Sequence, residues 1–177
     1  NICLNTSAVF QDFALYNITA MMNIGIGNIK TNLDTEKAKE AARNAGIYET
    51  LEKLPNGFDN MLGTLFEGSE ELSIGQWQKL ALARAFYRDA PLILMDEPSS
   101  ALDAISEMQI IESLKKLAEN KTAIIISHRL TTVKWANYIY FFDKGEIIEQ
   151  GTHDELMALK GKYYQMFQTS GSKYFVE

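Results

Sequence analysis

Cysteine is almost absent from this sequence: Cys3 is the only one in 177 residues. A disulfide framework and a zinc site built from cysteines are therefore excluded, and a reducing compartment fits. Histidine is nearly as scarce, with His128 and His153 far apart in the chain. No apolar run approaches the roughly 20 residues of a membrane-spanning helix. Asn1 to Thr6 has neither a basic start nor an apolar core, so it does not read as a signal peptide. The initiator methionine is missing too, which is compatible with a fragment end. Basic residues are outnumbered, 17 to 23, and the net charge of -6 argues against a broad nucleic-acid footprint.

What is present is 46% hydrophobic, enough for one globular domain burying roughly 70% of its unfolded surface. The informative stretch is Leu92-Ile93-Leu94-Met95-Asp96-Glu97-Pro98. A short apolar run bounded by a breaker reads as a strand buried on both faces, the kind found in parallel sheets. Ligands of such sheets collect beyond the carboxyl ends of the strands, where Asp96 and Glu97 stand. Side chains alternate along a strand, so the two carboxylates are expected to do different work. Unpaired acids there are costly unless a cation or a reaction uses them. The plain alternative is a strand ending at a solvated acidic turn.

Other segments fall into order around it. Ser7 to Phe10 reads as a strand broken by Gln11-Asp12, and Asn17 to Thr19 can cap a short helix through Met22. Asn23 to Asn32 reads as a loop. Within it, Gly25-Ile26-Gly27-Asn28-Ile29-Lys30-Thr31 superficially matches a phosphate loop, but Ile29 stands where GxxxxGK[ST] needs glycine. Asp34 or Thr35 can cap a helix over about 36–44, ended by Gly46. Residues 47–54 read as another short helix, Gly75 to Arg88 as a longer one, and Ile105 to Leu117 as an amphipathic one. Ala123 to Ile126 reads as a second buried strand, running into Ser127-His128. A strand-helix-strand unit of this length implies a parallel crossover, which brings Asp96-Glu97 and His128 to one sheet edge. Asp143-Lys144-Gly145 reads as a hairpin turn, and two helices, about 154–159 and 162–169, follow.

Leu72-Ser73-Ile74-Gly75-Gln76 opening a helix, then Met95-Asp96-Glu97-Pro98, Ser100-Ala101-Leu102-Asp103 and Ser127-His128 in sequence resembles the ATPase domain of ABC transporters. The likeness covers essentially the whole chain. Phe66-Glu67-Gly68 and Gly151-Thr152-His153-Asp154-Glu155-Leu156 are similar to the exporter branch that moves drugs, lipids or peptides. The resemblance implies an α/β, P-loop NTPase-like parallel sheet core with an inserted helical signature subdomain, incomplete at its N-terminus. Residues of about 17–90 would form that subdomain; 1–16 and 91–177 would form the sheet core and C-terminal helices.

The resemblance also implies roles. Asp96 would hold Mg²⁺, with Gln11 reaching the metal or attacking water from a loop that touches the transmembrane domain. Glu97 would polarise the water and His128 would contact the γ-phosphate. Ser73, Gly75 and Gln76 would grip ATP held by a second ABC ATPase domain in a head-to-tail dimer, with Asp103 across the same interface. His153 reads as a structural helix-start residue. The whole would sit at the cytoplasmic face of a membrane.

Two departures stand out. Ile74 replaces the family's usual glycine, and a β-branched side chain disfavours positive φ. The phosphate loop, with its lysine for the β- and γ-phosphates, has no equivalent. A degenerate half supplying only the signature face is therefore one alternative. A soluble chromosome-maintenance ATPase is another, opposed by the absence of a long heptad run between Gln11 and Ser73.

Overall fold

Leu92–Asp96 forms β2, the middle strand of a three-stranded parallel sheet with β1 (Thr6–Val9) and β3 (Thr122–Ile126) on either side. The computed structural model describes residues 5–98 and 104–171. It divides into two units, Asn1–Ile126 and Ser127–Glu177. β1 runs in register with β2 from Thr6 opposite Leu92 to Val9 opposite Met95, and β3 from Thr122 opposite Leu92 to Ile126 opposite Asp96. All three strands therefore end at one edge.

Ile93 and Met95 are buried, while Leu92, Leu94 and Asp96 are half-buried. β3 departs further from the expectation of an interior strand. Ile124 and Ile126 are 53% and 61% exposed. It is an end strand among the described residues, and an isoleucine run reads the same whether or not its outer face is covered.

The first unit is held by α4 (Ile74–Arg88), which packs against α1 (Ala20–Gly25), α2 (Thr35–Asn44), α5 (Ala104–Ala118) and β1. Alanine and leucine favour this helix, and Trp77, Leu80, Leu82, Ala83 and Ala85 are buried along it. A buried leucine such as Leu80 contributes about 1.5–3 kcal/mol. Asp89, in left-handed backbone with φ 56°, terminates the helix.

Asp34 caps α2, accepting from the Lys37 N–H at 3.0 Å, and Gly46 turns the chain beyond it at φ +68°. The short α3 (Tyr48–Glu52) follows. Thr19 caps α1 as expected, accepting from Met22 N–H at 3.2 Å. The loop expected over Asn23 to Asn32 holds only from Ile29 onward. α1 continues to Gly25, and a 3₁₀ turn spans Ile26–Asn28. The glycines serve close packing: a Cβ on Gly27 would lie 2.2 Å from the Arg84 carbonyl oxygen, and one on Gly25 would lie 2.5 Å from Leu33 Cδ1.

In the second unit, α6 (Leu130–Val133) precedes a hairpin of β4 (Ile139–Asp143) and β5 (Glu146–Gly151). Lys144 and Gly145 both take positive φ, 50° and 83°, as a two-residue turn of matching twist requires. One face of the hairpin packs Ile139 on Leu156 of α7 (His153–Leu159) and Tyr163 of α8 (Lys162–Gly171). The other presents Tyr140 and Phe142 to solvent.

Candidate functional site

Asp96 closes β2 and Glu97 begins the turn, with φ at 45°. A glutamate rarely adopts this left-handed backbone, which costs on the order of 1 kcal/mol. Two hydrogen bonds hold the turn. The Glu97 N–H donates to the Ile126 carbonyl at 3.0 Å, and Gln78 Nε2 of α4 donates to the Pro98 carbonyl. Both carboxylates are half-buried, and Glu97 Oε2 is itself covered.

Gln11 stands two residues beyond Val9, whose partner is Met95, so β1 delivers it to the edge where Asp96 and Glu97 emerge. It is exposed there. β3 also ends at this edge, at Ile126, opposite Asp96. His128 follows in sequence but belongs to the second unit, where it is exposed. Asp103, with Ser100, lies outside the described residues.

Ser73, Gly75 and Gln76 lie at the start of α4. Ser73 Oγ accepts from the Gln76 N–H at 3.3 Å, and Gln76 Oε1 accepts from the Ser73 N–H at 2.8 Å. This reciprocal cap satisfies two of the helix's otherwise orphaned amides. Ile74 is the first helical residue, has no positive φ, and is 64% exposed. The positive φ that a β-branched side chain disfavours is therefore not required at that position.

His153 is structural, as expected. It opens α7, its Nδ1 lies 2.9 Å from the Tyr163 hydroxyl, and its ring packs on Tyr163 and Phe167. Burial raises the Tyr163 hydroxyl pKa, so it stays neutral at physiological pH.

Gln78, Asn23 and Arg84 escaped the sequence reading. Gln78 is buried on a helix face of leucine and alanine, and that break in the pattern was the available signal. Arg84, flanked by Ala83 and Ala85, gave a similar one.

Among the described residues, no cluster of three or more His, Cys, Asp or Glu could hold a metal unaided. The sheet edge offers hard oxygen donors, Asp96 and the amide of Gln11. That suits Mg²⁺, which takes one or two protein ligands and fills its shell with water and phosphate oxygens.

The sequence model of the ABC transporter family matches residues 4–100. The ATP-dependent lipid A-core flippase of Chromohalobacter salexigens is 42% identical over 90% of this chain and 27% of its own length. The ABC-type transporter MDR1 of Aureobasidium melanogenum is 42% identical over 89% of this chain and 12% of its own. The chain thus spans about a quarter or less of these relatives. A solved bacterial Atm1-family ABC exporter with ATP bound superposes with a TM-score of 0.83 at 31% identity, over 96% of this chain and 29% of that one.

Proposed function

Since this chain belongs to the ABC transporter family and has the α/β P-loop NTPase-like fold of its ATPases, we propose that it is part of the nucleotide-binding domain of an ABC exporter. Within that exporter it binds ATP and hydrolyses it to drive transport of a drug, lipid or peptide. The observation that carries this reading is the sheet edge: β2 ends in Asp96-Glu97 in register with the strand that delivers Gln11.

Each residue then has a role. Asp96 holds Mg²⁺, directly or through water, and Gln11 presents its amide oxygen to the metal or the attacking water. When bound with ATP, the ion neutralises charge on the β- and γ-phosphates. Glu97 orients and polarises the water; its half-covered position keeps the carboxylate's acceptor strength from being spent on bulk solvent. His128 contacts the γ-phosphate. Ser73, Gly75 and Gln76 offer amides and side chains at the positive end of α4 to ATP on a second ABC ATPase domain. Asp103 meets that partner across the head-to-tail interface, and the Gln11 loop meets the transmembrane domain. Residues of about 17–90 act as the helical signature subdomain, beside a sheet core at 1–16 and 91–177. The assembly works at the cytoplasmic face of a membrane.

In the complete transporter, Glu97→Gln is expected to lower ATP turnover by about 10²–10⁴-fold while ATP binding is retained. Turnover near the unsubstituted level would remove Glu97 from the chemistry. The degenerate-half reading draws on the missing GxxxxGK[ST], and would be favoured if the complete polypeptide lacked that motif as well.

A further inference from the structure

Arg84 lies three turns beyond the start of α4, and burial lowers its pKa to about 10, so it stays charged at neutral pH. Its Nε donates to the Asn23 carbonyl at 3.1 Å, and its Nη2 donates to Asn23 Oδ1 at 2.7 Å. Its Nη1 donates to the Ala14 carbonyl at 2.8 Å. The guanidinium carbon sits 5.0 Å from the centre of the Tyr16 ring. Asn23 is fully buried, and its Nδ2 lies 3.0, 3.2 and 3.2 Å from the carbonyls of Tyr16, Ile18 and Thr19. One arginine and one asparagine thus collect the backbone oxygens of Ala14, Tyr16, Ile18 and Thr19. Residues 13–17 belong to no helix or strand, and they begin two residues after Gln11.

All three acceptors of Arg84 are neutral oxygens, so its charge is desolvated without a carboxylate to offset it in these bonds. A methionine would fill the same space without that cost. What only the guanidinium supplies is a planar fork that fixes two segments at once. We propose that Arg84, assisted by Asn23, is a positioning residue for the Gln11 loop, pinning it to the helix whose other end bears Ser73 and Gln76. Loop and helix then move as one body. That their joint position matters to ATP chemistry rests on the function proposed above; the pinning itself does not.

Hydrogen exchange on the complete transporter without nucleotide tests the pinning. In Arg84→Met, amides of residues 14–23 are expected to exchange at least about tenfold faster, while those of β2 change less than about twofold. A uniform rise across the chain, or no local rise, would overturn the proposal. If Arg84→Met does not fold, Arg84→Lys serves. It keeps the charge but loses the fork, so the same local loosening is expected, and unchanged exchange would overturn the proposal. In the complete transporter, Arg84→Lys should lower kcat about tenfold with KM for ATP within twofold. An unchanged kcat beside a loosened loop would overturn the positioning role. Absence of hydrolysis in the unsubstituted transporter would instead sink the functional reading and leave the exchange result standing.

Discussion

Glu97 occupies backbone that glycine would adopt more easily. Strain of this kind persists where surrounding bonds hold it, here those to Ile126 and from Gln78. Comparing two substitutions isolates the backbone cost. Glu97→Gly should be more stable than Glu97→Ala by about 1 kcal/mol, read from urea midpoints, because both remove the side chain and only glycine relieves φ. Equal midpoints would show that the turn is unstrained. Asp96 and Glu97 were legible as a pair because an apolar run led straight into them. The left-handed backbone was not, since no glycine marked it. Arg84 was also invisible as a clamp: two of its three acceptors are backbone oxygens, which leave no trace in residue identity, and the third, Asn23 Oδ1, lies 61 positions away in the sequence.

Among the elements, α4 was readable as Gly75 to Arg88, one residue short of its start at Ile74. The segment from 23 to 28 was not, because Gly25 and Gly27 suggested looseness where they permit contact. β3 was found in place, but its exposed face could not be read from four consecutive apolar residues. The end of α4 is joined to the start of β3 by Lys121 Nζ and Asp89 Oδ1, 2.8 Å apart. The hydrogen bond from Lys121 holds the Asp89 carboxyl below its ordinary pKa. A carboxyl lowered in the folded state adds stability above its unfolded pKa, about 3.9, and that stability is lost as pH falls through the folded value. Lys121→Met should therefore flatten the stability–pH curve below about pH 4 and lower stability slightly at neutral pH. An unchanged slope in urea titrations across that range would show that the bridge is energetically silent.

At the scale of the whole chain, the exposed apolar side chains among the described residues include Ile124 and Ile126 in the first unit and Tyr140 and Phe142 in the second. No GxxxxGK[ST], the motif that cradles the β- and γ-phosphates in P-loop NTPases, occurs in the sequence. Calorimetry on this chain alone should accordingly find ATP binding no tighter than about 1 mM. A micromolar Kd would mean that the sheet edge and Ser73 suffice without a phosphate loop. The fold class was legible because motif order along the sequence follows strand order in the sheet. The division at Ile126 was not, because no change of composition marks it.

The pairing of β1 with β2 sets Thr6 opposite Leu92, residues 86 positions apart in the sequence. During synthesis at roughly 5–20 residues per second, Thr6–Val9 would be made about 4–17 s before Leu92–Asp96. For that interval β1 has no partner among the described strands, and a chaperone that shields nascent strands would find a target there. The β4–β5 hairpin, closed by two residues, has no such wait.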